Sequence, residues 1–277
     1  MEEIKIPDAI FEQSNSDVQI FDYRSSRNLD KQLINLTKHT FSFLVEGQKE
    51  VVGHQNFISA IDTSFLLMQK GRCIMTEKLS SNNNQYRSIL LFFSNNILLD
   101  LIKKYDFNIK KGQFQKSVFS FDYDDYLKNY LKNIVKISKL PQKTQGNLLA
   151  IKLEEILIYL VEKNGSDFIT SLLENNNQQS RKLISIVETH KLNKLSINEL
   201  AFLCNMSVST FKREFTKQYQ LSPIKWFQDQ RLEYASVLLT KENKRPSDIY
   251  MEVGYENLSS FIQAFKSKFG QTPKQFQ

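Results

Sequence analysis

The sequence is poor in cysteine, histidine, proline and glycine, and it has no long apolar run. Its 277 residues include 2 cysteines, 3 histidines, 5 prolines and 8 glycines. So few cysteines exclude a disulfide scaffold, and so little glycine and proline excludes a collagen-like chain. The longest apolar run, Ile89–Phe93, falls far short of the roughly 20 residues of a membrane-spanning helix, and Met1-Glu2-Glu3 is unlike a basic secretory signal. We therefore expect a cytoplasmic protein without a membrane partner.

The few cysteines and histidines also lack the spacing of a metal or catalytic site. Cys73 and Cys204 stand far apart, and the three histidines, His39, His54 and His190, form no zinc-binding pattern. We predict that the cysteines are buried thiols. We also predict no metal, no cofactor and no catalytic residues, so the protein is not expected to be an enzyme.

Positive charge is concentrated in the last third of the chain. The whole chain has a formal net charge of +7, and residues 180–277 contain 15 Lys and Arg against 9 Asp and Glu. A basic excess confined to one segment indicates a polyanionic partner for that segment, although solvated surfaces often share this property.

The first part of the chain has the pattern of short strands. Residues 40–45 alternate and then meet Glu46-Gly47-Gln48, which is a hairpin signal. Similar stretches follow, which indicates a small antiparallel barrel or sandwich, and we predict an antiparallel β-barrel over residues 1–120. We expect one apolar stripe to be core rather than the lining of a ligand cavity: Phe41, Phe43, Phe57, Phe65 and Leu67.

Helical periodicity follows the predicted barrel. Apolar residues recur at spacings of three and four over residues 121–165, interrupted by Pro141, which predicts a helical hairpin and a candidate dimer interface. Residues 166–180 are polar and are predicted to be a linker, so residues 181–277 form a separate C-terminal domain. The predicted fold class is α+β, with an all-α C-terminal domain.

The C-terminal domain contains one unit twice. Ser196-Ile197-Asn198-Glu199 has the pattern of a capping box, and Ser207 is suited to cap the next helix, which contains Phe211 and Phe215. About fifty residues later the pattern returns around Phe261 and Phe265. Two helix-turn-helix units joined by one long helix are therefore predicted.

These residues resemble the DNA-binding domain of the AraC/XylS family of bacterial transcription regulators. The resemblance covers about residues 180–277 and rests on these positions: Leu200-Ala201, Met206-Ser207, Phe211 to Phe215, Arg231-Leu232, Ala235, Leu238-Leu239, Gly254-Tyr255, Ser259, Phe261, Phe265-Lys266, Gly270 and Thr272-Pro273. It implies a recognition helix from each unit in successive major grooves of double-stranded DNA. It also implies transcription activation with RNA polymerase as a partner. The front half would then be a cupin-like sensory domain that responds to a small molecule, a protein partner or homodimerisation.

The candidate DNA-binding residues lie on the outer faces of the two recognition helices. They are Ser209, Lys212, Arg213 and Lys217 in the first helix, and Ser259, Gln263 and Lys266 in the second. Arginine binds guanine in a bidentate manner, whereas lysine mostly contacts phosphate. Because the second helix has no outward arginine, we expect specificity to rest mainly on the first. Tyr250 replaces the usual alanine of the family, which predicts a wider crossing of the second helix pair.

Two alternatives stay open at this point. A nonspecific architectural DNA-binding protein would also carry a basic segment. A barrel enzyme with an appended DNA-binding module would need a set of catalytic groups, and the scattered histidines offer little support for one.

Overall fold

A computed structural model of the chain describes residues 3–11, 16–54, 56–105, 107, 116–173 and 179–277. The chain divides into two compact units, residues 1–177 and 178–277. In the described part of the chain, no helix is both long enough and apolar enough to cross a bilayer.

In the described part of the front unit, ten strands form two five-stranded sheets. The strands are β1 (Ile4–Ile6), β2 (Val18–Ser25), β3 (Leu29–Leu36), β4 (His39–Glu46), β5 (Gln48–Val52), β6 (Phe57–Ile61), β7 (Ser64–Met68), β8 (Gly71–Lys78), β9 (Tyr86–Phe93) and β10 (Val118–Asp122). One sheet has the order β1-β3-β8-β5-β6 and the other has the order β10-β7-β4-β9-β2. All pairs are antiparallel except β1 with β3.

The central strands of the second sheet are buried on both faces. Along β4, Phe41 and Phe43 pack in the cluster that contains the front unit's helices, whereas Leu44 packs in the cluster shared with the first sheet. Side chains alternate along a strand, and both sets are buried in β4 although Thr40 and Ser42 are polar, whereas the neighbouring β7 is apolar almost throughout. The α+β class is confirmed, but the prediction of one closed barrel is wrong for the described residues, because the second sheet is a layer between the first sheet and the helices.

Among its described residues, the front unit also has four helices: α1 (Asn95–Tyr105), α2 (Asp125–Ile137), α3 (Gln142–Asn164) and α4 (Asp167–Leu173). Asp124 caps α2 by accepting a hydrogen bond from the Leu127 backbone N–H. Helices α2 and α3 form the expected hairpin. The predicted linker 166–180 is wrong in its first part, because α4 buries Phe168, Ile169 and Leu172 in the core. Residues 174–178 of that linker lie outside the described residues.

The back unit is helical throughout. Its helices are α5 (Gln179–Thr189), α6 (Ile197–Leu203), α7 (Val208–Tyr219), α8 (Pro223–Thr240), α9 (Pro246–Ile249), α10 (Leu258–Phe269) and α11 (Pro273–Phe276). The capping box at the start of α6 is present, with Ser196 and Glu199 each bonded to the other's backbone N–H. Helices α6 and α7 are the first helix-turn-helix unit, α9 and α10 are the second, and α8 connects them.

Candidate nucleic-acid interface

The two candidate recognition helices, α7 and α10, are built alike. Each has 12 residues, and they begin fifty residues apart. The Ser207 side chain caps α7 by accepting from the Thr210 N–H, and the Asn257 side chain caps α10 by accepting from the Ser260 N–H. Because the caps occupy equivalent positions, both helices start in the same way.

The turn before each recognition helix also has the same backbone hydrogen bond. The Met206 N–H donates to the Ala201 carbonyl at 2.9 Å, and the Tyr255 N–H donates to the Tyr250 carbonyl at 2.9 Å. Asn205 has a φ of 58° in the first turn, and Gly254 has a φ of 87° in the second. Glycine and asparagine are the residues that adopt this left-handed region most readily.

Aromatic rings anchor both recognition helices to the next helix along the chain. In the first unit, the Phe215 and Trp226 ring centroids are 5.7 Å apart. In the second, the Phe265 and Phe276 ring centroids are 5.3 Å apart. Such edge-to-face packing fixes the inner side of each helix, so the opposite side is left to the solvent.

The first helix of each unit differs more. Helix α6 has seven residues, whereas α9 has four. Ala201 is buried in α6, and the equivalent Tyr250 is half-buried just after α9. The larger side chain stands at the end of a shortened helix. The expected wider crossing of the second pair stays a prediction.

All four candidate residues of α7 lie on its exposed side: Ser209, Lys212, Arg213 and Lys217. The Arg213 side chain is 72% exposed and forms an ion pair with its neighbour Glu214 at 3.2 Å. An ion pair this exposed contributes about 0–1 kcal/mol, so the guanidinium is readily exchanged to another acceptor. The Ser209 hydroxyl lies 2.9 Å from the hydroxyl of the cap residue Ser207.

The exposed side of α10 carries less charge. Ser259, Gln263 and Lys266 are exposed. The second lysine of the helix, Lys268, is turned toward α8, where its Nζ donates to the Asp229 carbonyl at 2.7 Å and to Glu233 Oε1 at 2.9 Å. Counting fifty residues back, Gln263 stands where α7 has Arg213.

Sequence reasoning missed Thr216 and Lys194. Thr216 is exposed on α7 at the position equivalent to Lys266, and the fifty-residue repeat was the signal that would have found it. Lys194 precedes α6, and its Nζ donates to the Met251 carbonyl at 2.9 Å, which ties the first unit to the turn of the second. No sequence pattern indicated that contact.

Within the described residues, no group of three or more His, Cys, Asp or Glu side chains is placed to hold a metal ion. Cys73 and Cys204 are buried, and burial raises the pKa of each thiol to about 12. Burial lowers the pKa of His39 to about 4, so it is neutral at physiological pH. At physiological pH the two cysteines are therefore thiols rather than thiolates, and His39 does not titrate.

Two family models match the chain. The model described as the ExsA N-terminal regulatory domain matches residues 39–172, and a helix-turn-helix domain model matches residues 200–277. The first lies in the front unit and the second spans both predicted recognition helices.

Curated relatives include the transcriptional regulator ExsA of Pseudomonas aeruginosa, which is 31% identical over 127 residues, 46% of this chain and 46% of ExsA. The virulence regulon transcriptional activator VirF of Yersinia enterocolitica is 31% identical over 129 residues, 46% of this chain and 48% of VirF. The matched region thus spans about half the length of these relatives. Among solved structures, ToxT of Vibrio cholerae with a bound unsaturated fatty acid has a TM-score of 0.41 and 15% identity, covering 96% of each chain.

Proposed function

Because the chain belongs to the AraC-type helix-turn-helix regulators and carries an N-terminal domain of the ExsA kind, we propose that it is a sequence-specific DNA-binding transcription activator. Names of curated relatives support activation, since they include a virulence regulon activator. We assign the chain no catalytic role, and we place its work in the cytoplasm, where bacterial DNA lies.

In this proposal, α7 and α10 enter successive major grooves on one side of the duplex. Helix α8 has 18 residues and is therefore about 27 Å long, so it holds the two recognition helices at a fixed separation. Lys212 and Arg213 read bases from the first helix, with Ser209 and Lys217 at its edges. Ser259, Gln263 and Lys266 engage the second groove, mostly through the DNA backbone.

The front unit controls DNA binding in this proposal. It does so through a small molecule, a protein partner or homodimerisation by the α2–α3 hairpin. The family description of residues 39–172 as a regulatory domain supports this assignment. RNA polymerase is the proposed partner at the promoter.

The observation that carries the proposal is the repeated unit, with equivalent caps and turns and an exposed polar side on each recognition helix. The test begins with selecting the preferred sequence from random duplexes, using the full chain. Competition with unrelated DNA at physiological salt should then leave the selected duplex bound about 10³-fold more tightly or better. Equal binding to both would identify a nonspecific architectural protein and overturn the proposal.

A charge-matched variant separates base reading from general attraction. Arg213→Ala should weaken binding to the selected duplex, whereas Arg27→Ala, which removes an exposed arginine from the turn after β2, should not. Equal losses from both variants would mean that only net positive charge matters.

A further inference from the structure

A cavity of about 760 Å³ lies inside the front unit, between its two sheets. This volume is within the range of small-molecule sites, roughly 300–1,000 Å³. Most of its wall is apolar, including Ile6, Phe21, Ile34, Met75, Leu90 and Phe92. The apolar stripe named from the sequence does not line it: Phe41, Phe43, Phe65 and Leu67 are core residues, as expected, but the prediction is wrong for Phe57, which is half exposed.

One part of this wall carries a buried ion pair. Lys49 on β5 and Glu77 on β8 face each other across the strand pair, with Lys49 Nζ 3.0 Å from Glu77 Oε1. Their side chains are only 3% and 8% exposed. A buried ion pair stabilises a fold little better than apolar side chains of similar size would, so stability alone does not explain its place in an apolar cavity.

The ion pair leaves polar atoms without partners. Glu77 Oε2 is buried and makes no hydrogen bond to any described residue, and the buried Tyr86 hydroxyl is in the same condition. The Tyr86 ring lies beside the pair, with Lys49 Nζ 5.9 Å from its centroid. Tyr23 also lines the cavity, and burial together with the nearby Glu77 charge raises its pKa to about 12, so its phenol stays neutral. The Tyr23 phenol interacts with the Glu77 carboxylate, but Oε2 itself has no bonded donor among the described residues, so this buried acceptor has room for one from the cavity.

We propose that the cavity binds an apolar small molecule carrying a hydroxyl or amine, which donates a hydrogen bond to the Glu77 carboxylate. The cavity is lined by two ion pairs, Lys49 with Glu77 and Arg24 with Asp22, so its wall has no net positive charge to attract a carboxylate. An anionic headgroup beside Glu77 would meet like charge at low dielectric and leave the unpaired oxygen without a donor. Under the proposed function, this ligand is a signal that the regulator senses.

The first experiment compares headgroups on one apolar chain. Calorimetric titration of the full chain with decanol, decylamine and decanoate should show the alcohol or the amine binding at least about tenfold more tightly than the carboxylate. The stronger of the two donors then identifies the ligand as neutral or cationic. Tightest binding by decanoate, or no binding by any of the three, overturns the proposal.

The second experiment removes the polar anchor and keeps the cavity. Lys49→Met combined with Glu77→Leu replaces the pair by apolar groups of similar size, which avoids leaving one charge buried alone. Affinity for the better donor ligand should fall at least about tenfold. The matched control is Glu50→Leu with Lys78→Met, which removes an ion pair of 2.6 Å from the same two strands at residues that do not line the cavity. Unchanged affinity in the first double variant would show that the anchor is wrong.

A third variant locates the ligand independently of the ion pair. Leu90→Trp places a large ring in the cavity wall and should abolish binding of the donor ligand, and retained binding would overturn the cavity as the site. Each protein is also titrated with its selected DNA duplex. Failure of ligand binding with DNA binding intact defeats this inference alone, whereas failure to prefer the selected duplex defeats the proposed function alone.

Discussion

The two helix-turn-helix units share their backbone and core but differ on their outer faces. Helices α7 and α10 have the same length, equivalent caps and the same aromatic packing on their inner side. On the outer side, an exposed arginine at residue 213 is matched by glutamine at residue 263. The two units therefore share the caps and the aromatic packing that hold the recognition helix in place, and they differ in the exposed side chains that would contact a partner.

The two units also differ in their first helix, since α9 has four residues and α6 has seven. In the second unit, the turn after the short α9 is tied to the first unit by the Lys194 bond to the Met251 carbonyl, and α10 is tied to α8 by Lys268. The Lys268 ammonium is paired with Glu233, which reduces what α10 adds to the positive charge of its surface. The first unit has the larger share of exposed basic side chains on its recognition helix.

The largest expected effect tests whether the two cores are equivalent. Phe211 and Phe261 are fully buried at matching positions. Phe211→Ala and Phe261→Ala should each lower the free energy of unfolding by about 3–5 kcal/mol through lost packing and a residual cavity. Urea unfolding of the full chain measures both. A loss below about 1 kcal/mol in only one variant would show that the cores are not equivalent.

The next effect tests the difference between the outer faces. Arg213→Ala should weaken binding to the selected duplex by about 1–3 kcal/mol, while binding to random DNA changes little. Gln263→Ala should cost less than Arg213→Ala, because we expect the second helix to contact mainly the DNA backbone. Gel-shift titrations on both duplexes measure the ratio, and a larger loss for Gln263→Ala would reverse the assignment of specificity.

A third prediction concerns the two turns. A side chain at Gly254 would have to adopt a φ of 87° and would place its Cβ 3.2 Å from the Arg231 Cδ. Gly254→Ala should therefore destabilise the protein by about 1–2 kcal/mol. Asn205→Gly, at the equivalent turn with a φ of 58°, should change stability much less. Thermal unfolding compares them, and equal effects would mean that backbone conformation does not distinguish the turns.

The smallest effect tests the caps. Ser207→Ala and Asn257→Ala each remove one side-chain acceptor from a helix N-terminus, so each should cost about 1 kcal/mol of stability. Ser207→Thr serves as the control that keeps an acceptor at this position. If circular dichroism melts show no loss for either alanine variant, the caps do not stabilise the recognition helices.

Local patterns were enough to predict much of the fold. Strand β9 (Tyr86–Phe93) contains the longest apolar run of the sequence, Ile89–Phe93, which is typical of a buried strand. The capping box and the fifty-residue repeat predicted the two helix-turn-helix units and the helix between them, but not α5 or α11. The layering of the front unit was not predicted, because the alternation of residues 40–45 indicates one apolar face and does not show that the other face of β4, with Thr40 and Ser42, is also buried.

Non-local pairings account for the rest. The bond between Lys194 and Met251 joins residues far apart in the chain, and neither residue type signals the other. The pairing of Lys49 with Glu77 likewise depends on the register of β5 against β8. A sequence read alone places both residues on strands without showing that they meet in a cavity. The candidate residues of α7 and α10 were easier to place, because buried phenylalanines fix which side of a helix is outward.

Strand β9 has neighbours of two kinds, one on each side of its plane. Leu90 and Phe92 form part of the cavity wall, while Ile89, Leu91 and Phe93 belong to the core that includes the α2–α3 hairpin. Successive side chains are attached to one backbone, so a displacement of Leu90 or Phe92 would also move the adjacent residues that face the hairpin. A ligand in the cavity would thus be coupled to the α2–α3 hairpin through the backbone of a single strand, without a hinge or a moving lid.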